Sequence, residues 1–140
     1  MKPLLSVAAL VLAVASATAS AATAVTASAW ARAIPGDNGA AYLTLDNTGA
    51  EPLRLLAVRT GRAMDSALHE HVHDNGVMRM RPLANGLPLA PHQRVVMAPG
   101  GLHVMLMGLH GPLRAGEHFP LTLHFDRGDD VAVDVEVRAQ

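Results

Sequence analysis

The sequence predicts an all-β protein, and three features carry that prediction. Short apolar or alternating segments recur along the chain, and clusters of Gly, Pro, Asn and Asp separate them. After the N-terminal segment there is no amphipathic helical pattern of convincing length. Many short strands at close spacing, each bounded by a turn signal, are typical of a β-sandwich or a small barrel.

The N-terminal segment has the pattern of a signal peptide. Lys2 gives a short positive start, and an apolar run from Leu4 to Val14 follows. A membrane span needs roughly 20 apolar residues, so an uncleaved anchor is the less favoured alternative. Triplets of the A-x-A type end at Ala21 and Ala24. We therefore expect a signal peptide over residues 1–21, with cleavage between 21 and 24. We expect residues 25–140 to form one exported, periplasmic β domain without stable membrane insertion.

Composition excludes several classes of protein. Removal of Lys2, the only lysine, would leave ten arginines against twelve acidic residues, a net charge of −2. That balance offers no basic footprint, so nucleic acid is excluded as a partner. The chain has no cysteine, which excludes disulfides. It also excludes a blue-copper electron-transfer centre, because that centre needs a cysteine thiolate.

The first three predicted strands are separated by turn residues. Val25–Ala33 alternates, and Ala41–Leu45 places Leu43 and Leu45 on one face. Leu53–Val58 is apolar nearly throughout, which predicts a strand buried on both faces.

The middle of the chain predicts a hairpin and two further strands. Asn75-Gly76 is a strong hairpin signal between two extended runs, and Asn85-Gly86 is another. The predicted strands here are Ala67–Val72, Val77–Leu83, Arg94–Ala98 and Leu102–Met107.

The last two predicted strands alternate most clearly. In Leu121–Phe125 and Val131–Arg138, every second residue is apolar and predicted to face the core. The predicted core residues of these two strands are Leu121, Leu123, Phe125, Val131, Val133, Val135 and Val137.

Methionine and histidine are concentrated between Met64 and Met107. Six of the seven methionines and five of the eight histidines lie in this stretch. Thioether sulfur is a soft ligand and imidazole a borderline one, and together, without thiolate, they suit copper and especially Cu(I). The stretch therefore predicts a copper site.

Strand periodicity groups these side chains, because residues two apart share a face. It predicts three clustered faces, formed by His69, His71 and His73, by Met78 and Met80, and by His103, Met105 and Met107. In the strand Leu102–Met107, the opposite face is apolar and is predicted to belong to the core. The His and Met side chains are then expected to lie off the core, so that replacing Met80 or His103 leaves folding nearly intact.

Each of these side chains also has a simpler interpretation. The H-x-H-x-H run could be a solvated strand face. Met64 and Met97 are predicted to fill the core. The remaining histidines are predicted to be ordinary surface residues: His92, His110, His118 and His124.

The spacing of these residues resembles the motif of the PCuAC family of periplasmic copper chaperones. That motif is a histidine, ten residues, a methionine, about twenty-one residues, and then H-x-M. Here His69 is followed by ten residues and Met80, and after twenty-two more by His103-Val104-Met105. The extra residue fits a longer loop between 83 and 93. Flanking segments also match, including A-A-Y-L-T-L-D-N and P-G-G-L-H-V-M-L-M-G-L, so the resemblance extends from Val25 to Val137.

The resemblance implies a cupredoxin-like Greek-key β-sandwich or barrel that binds one Cu(I) through His69, Met80, His103 and Met105. It implies delivery of copper to the CuA centre in subunit II of cytochrome c oxidase, alongside a Sco-type protein. One departure is His71, at a position where the family often has methionine. His71 and His73 are therefore candidates for a secondary Cu(II) site.

Two other classes of function remain open at the level of the sequence. No nucleophile–base pair is evident, which favours a carrier over an enzyme. The rival hypothesis is a metalloenzyme, a zinc hydrolase or a copper oxidase, that uses His69, His71 and His73. A β-sandwich that binds no metal is the third interpretation.

Overall fold

The computed structural model describes residues 21–139, and the predicted signal peptide lies almost entirely outside them. The described residues form ten strands and no helix, so the all-β prediction is confirmed. None of these residues belongs to a helix long and apolar enough to cross a membrane. The strands are β1 (Val25–Arg32), β2 (Asn38–Asn47), β3 (Leu53–Arg59), β4 (Ala63–Asp74), β5 (Val77–Pro82), β6 (Leu87–Leu89), β7 (Arg94–Val96), β8 (His103–Leu109), β9 (His118–Phe125) and β10 (Val131–Arg138).

Two details differ from the sequence prediction. The three-residue strand β6 was not predicted, because a segment with proline at its centre offers too little alternation to detect. The prediction that Leu53–Val58 is buried on both faces is wrong, since Leu56 is 44% exposed while Leu55 is fully buried. Strand β3 therefore covers the core with one face and meets solvent with part of the other.

All ten strands belong to one hydrogen-bonded sheet. The order across it is β5-β4-β8-β2-β1-β10-β9-β3-β6, and β7 also pairs with β2. The first and last strands, β1 and β10, are parallel, whereas the other pairs are antiparallel. Strands that follow one another in the sequence are often not neighbours in the sheet, so crossover connections join its two halves.

The sheet folds over a single apolar cluster. The side chain of Ser66 on β4 donates a hydrogen bond to the carbonyl of Val58 on β3, at 2.7 Å, so strands far apart in the sheet order come together. Inward-facing residues of β9 and β10 alternate with exposed ones as predicted. The largest fully buried side chains are Leu43, Leu45, Leu55, Leu89, Leu106, Leu113, Leu121, Leu123, Val104, Val135 and Val137. This arrangement confirms the predicted β-sandwich.

The β4–β5 hairpin forms one edge of the sheet. Asn75 and Gly76 have φ angles of 49° and 79°, the left-handed conformation that a two-residue type I′ turn requires. All six residues of β5 are exposed. The hairpin therefore extends beyond the core and presents side chains to solvent on both faces.

Candidate metal centre

The three strands β5, β4 and β8 place the predicted donor side chains next to one another. His69 pairs with His103 across β4 and β8, and His71 pairs with Met80 across β4 and β5. Met105 pairs with Ala67, one step further along the same face. Because alternate residues of a strand share a face, these rows bring two methionines and three histidines onto one side of the sheet.

An open pocket of about 290 Å³ lies on this face. Ala40 on β2 pairs with Met105, and its small side chain leaves space beside that methionine. The residues that line the pocket are Arg32, Ile34, Asn38, Gly39, Ala40, Tyr42, His71, Met80, His103 and Met105. The pocket therefore gathers three of the four predicted ligands, together with His71, while His69 is not part of its lining.

His103 is the anchored member of this group. It is only 4% exposed, and its Nδ1 lies 3.0 Å from the carbonyl oxygen of Gly101. A carbonyl can only accept, so Nδ1 carries the proton and donates it, which leaves Nε2 with a free lone pair. A hydrogen bond of this kind fixes the ring and tautomer of a metal-binding histidine.

Burial lowers the pKa of His103 below its ordinary value. The hydrogen bond to Gly101 opposes this effect, and the neighbouring His71 and His69 add to it. The expectation that His103 lies off the core is wrong, because its side chain is 4% exposed, whereas the effect of its replacement on folding stays a prediction. Its side chain is buried even though it points to the side of β8 opposite Val104 and Leu106.

His69 and His71 each bring a buried nitrogen without a partner. The Nδ1 atoms of both rings are inaccessible to solvent and make no hydrogen bond. Leaving a buried polar atom unsatisfied costs about 1–3 kcal/mol, so such atoms are uncommon unless they serve another purpose. The centroid of the His103 ring lies 5.8 Å from that of His69 and 5.0 Å from that of His71. Imidazole nitrogens without a hydrogen-bond partner, close to thioether side chains, fit a metal-binding site.

The acidic residues of the hairpin lie on its other face. Glu70 accepts a hydrogen bond from Arg81 at 2.8 Å, and Asp74 lies 3.7 Å from Arg79. Within the described part of the chain, no carboxylate lines the pocket. The donors available there are thus imidazole nitrogen and thioether sulfur, a set that suits Cu(I).

Several other predicted residues lie away from the pocket. His73 is exposed and pairs with Met78 at the hairpin end. Met97 is buried as predicted, whereas the prediction that Met64 fills the core is wrong because Met64 is 81% exposed. The surface histidines are exposed as predicted: His92, His110, His118 and His124.

The rival site of His69, His71 and His73 does not assemble. Across residues 21–139, the His, Asp and Glu side chains form no group of three that could hold a metal ion. His73 stands beside Met78, beyond the row that contains Met80 and His71. The sulfur-containing side chains in the lining of the pocket are Met80 and Met105.

Sequence reasoning missed the position of His71 within the pocket and the contribution of β2. The alternation of β4 assigns His69, His71 and His73 to one face but cannot distinguish among them. The distinction depends on the pairing of β4 with β5 and β8, and β8 follows only after β6 and β7. Tyr42 and Ala40 carry no sequence signal for a metal site.

Comparison with known proteins identifies the family to which the sequence is similar. Residues 12–137 match the family described as "Putative lipoprotein LpqE-like". The protein of Leifsonia xyli subsp. xyli named "Putative lipoprotein Lxx21020" is 34% identical over 79% of this chain and 66% of its own. The protein RP573 of Rickettsia prowazekii is 29% identical over 71% of this chain and 55% of its own. The chain thus spans between about half and two thirds of the length of these relatives.

Solved structures share the fold. The copper-bound PCuAC domain from PmoF2 is 25% identical, with a TM-score of 0.67 over 86% of this chain and 97% of that domain. Cu(I)-bound DR1885 from Deinococcus radiodurans is 29% identical, with a TM-score of 0.64 over 84% of this chain and 80% of that one. These similarities confirm the cupredoxin-like fold and the resemblance to PCuAC domains inferred from the spacing of the motif.

Proposed function

The chain belongs to the LpqE-like family, and on that premise we propose that it is an exported copper chaperone and not an enzyme. It binds one Cu(I) through His69, Met80, His103 and Met105 and passes the ion to a copper-requiring protein. One observation carries this proposal: strands β5, β4 and β8 bring imidazoles and thioethers to one pocket that has no carboxylate in its described lining. The likeness to Cu(I)-bound DR1885 supports the same assignment.

The exposure of the ligands suits a carrier. Met80 lines the pocket and is 48% exposed, so its side chain lies at the rim of the pocket. His103 is buried and held by Gly101. An incoming ligand of the recipient protein can reach Met80 first, while His103 retains the ion until the exchange is complete.

The recipient that fits this function is the CuA centre in cytochrome c oxidase subunit II, with a Sco-type protein as a co-donor. The resemblance to PCuAC proteins supports this assignment, as does the predicted export to the periplasm. The name of the Leifsonia relative, a lipoprotein, agrees with export. Incubation of the Cu(I)-loaded protein with a soluble subunit II domain, followed by metal analysis of both, is expected to show copper in the recipient.

An anaerobic Cu(I) titration against a chromophoric competitor tests the copper site itself. We expect one Cu(I) per chain and sulfur scatterers beside nitrogen in X-ray absorption. The double variant Met80→Leu, Met105→Leu should lose most of its Cu(I) affinity. Met64→Leu is the matched control, because Met64 is exposed and does not line the pocket. A Cu(I) form with nitrogen scatterers alone would remove methionine from the site and contradict the proposal.

A further inference from the structure

His71 occupies a place in the pocket that the spacing of the motif assigns to His69. The pocket is lined by His71, Met80, His103 and Met105, and His69 does not contribute to the lining. His71 also lies directly opposite Met80 in the pairing of β4 and β5, whereas His69 lies opposite Pro82. On register alone, the imidazole best placed to share a metal with Met80 is that of His71.

The same carbonyl group holds His71 and His103 together. Gly101 accepts the Nδ1–H of His103 at 3.0 Å and the backbone N–H of His71 at 3.3 Å. The two rings lie 5.0 Å apart at an interplanar angle of 32°. This shared carbonyl holds the backbone of His71 close to the ring of His103, which places the two rings side by side.

His69 and His71 are alike in one respect that matters for binding. Each has a buried Nδ1 without a hydrogen-bond partner, and each ring lies within 5.8 Å of the ring of His103. A single imidazole with an unpartnered Nδ1 would be explained if β4 supplied one histidine ligand to the metal. Two of them, two residues apart on the same strand face, give five soft or borderline donors in all: four that line the pocket, and His69 beside it.

We propose that His71 is an exchangeable ligand of the copper pocket, which takes the coordination position of His69 in a second ligand set of His71, Met80, His103 and Met105. The inference rests on the proposed function, because it takes Cu(I) as the cargo. It also assigns His71 to the Cu(I) pocket, separate from His73, which is exposed at the end of the hairpin. Copper held by either imidazole remains bound to His103 and both methionines while the exchange takes place.

Cu(I) affinities of four variants test this redundancy. We expect His69→Ala and His71→Ala each to weaken Cu(I) binding by no more than about 10- to 100-fold, the range in which loss of a supporting partner moves metal affinity. The double variant should weaken it by a further factor of similar size, because no imidazole then remains for that position. His73→Ala, two residues further along the same face, is the matched control and should leave the affinity unchanged.

The results separate failure of this inference from failure of the proposed function. If His71→Ala binds Cu(I) like the wild type and the double variant is no weaker than His69→Ala, His71 is not a ligand, although the chaperone function stands. Absence of Cu(I) binding in the wild type would instead remove the proposed function. Histidine ring NMR of the wild-type protein adds a readout that needs no variant. Cu(I) is expected to shift the resonances of the His71 ring, and unchanged resonances would overturn the inference.

Discussion

At the scale of single residues, His103 is both a buried side chain and a proposed copper ligand. Its ring is buried beside β4, and its Nδ1–H is donated to Gly101. Burial favours the neutral ring, and the hydrogen bond to Gly101 places its one proton on Nδ1, so Nε2 is left unprotonated, the form that a metal requires. The exposed Met80 has no comparable structural role, so the two predicted ligands differ in what their loss does to the fold.

The lowered pKa of His103 predicts how the stability of the metal-free protein depends on pH. Because the folded state holds the proton less tightly than the unfolded state, the stabilisation is complete above the unfolded pKa of about 6.5 and is lost as pH falls through the folded pKa. Urea unfolding at a series of pH values should show this loss in the wild type. His103→Gln, whose amide can still donate to Gly101, should show a smaller loss over the same range. Equal losses in the two proteins would contradict the assignment to His103.

At the scale of elements, the β4–β5 hairpin controls the position of Met80. Its turn places Asn75 and Gly76 at positive φ, and this fixes the register that sets Met80 opposite His71. The remainder of β5 is exposed and is held mainly by its pairing with β4. The turn is therefore the feature that holds one methionine against the histidines.

Gly76→Ala is expected to destabilise the hairpin and weaken Cu(I) binding. No atom lies within 4 Å of the added Cβ, so the cost is backbone strain at a φ of 79°, about 1–2 kcal/mol. Hydrogen exchange of the β5 amides should accelerate, and a competition titration should report lower Cu(I) affinity.

Gly36→Ala is the control for this change, because its Cβ also meets no atom within 4 Å and its φ lies outside the left-handed region. It should alter neither the exchange rates nor the affinity. Identical behaviour of the two variants would show that the turn does not govern the site.

At the scale of the whole molecule, the core and the rim of the pocket are separate. Buried aliphatic side chains of both halves of the sheet form one cluster, and β5 lies outside it. The hydrophobic effect thus stabilises the scaffold, while the half-exposed Met80 at its edge is expected to contribute little to folding. Gly39, Tyr42 and His103 are buried and also line the pocket.

This separation predicts different effects of two substitutions on the free energy of unfolding. Met80→Leu should change it by no more than about 0.5 kcal/mol, because the side chain is half exposed. Val133→Ala should lower it by about 1–3 kcal/mol through lost burial and a partial cavity. Urea melts of the metal-free proteins measure both values. An unfolded Met80→Leu protein would mean that β5 is part of the core.

The sequence alone determined the all-β class, nine of the ten strands and the histidine and methionine side chains that are candidate copper ligands. These properties are local, because alternation with a period of two and a turn such as Asn75-Gly76 are set by neighbouring residues. The resemblance to PCuAC proteins added the cupredoxin-like fold and a proposed ligand set. The short strand β6 was not predicted, because three residues are too few to show an alternating pattern.

Only the tertiary structure decided which donors meet. The burial of Met97 and the exposure of Met64 depend on where each strand lies in the sheet, and both residues look alike in the sequence. The position of His71 opposite Met80, and of His103 beside it, depends on the pairing of β4 with both β5 and β8. The register of β4 against β5 follows from the Asn75-Gly76 turn, but that of β4 against β8 is a long-range property that no local pattern encodes, since it depends on which faces the whole sheet buries.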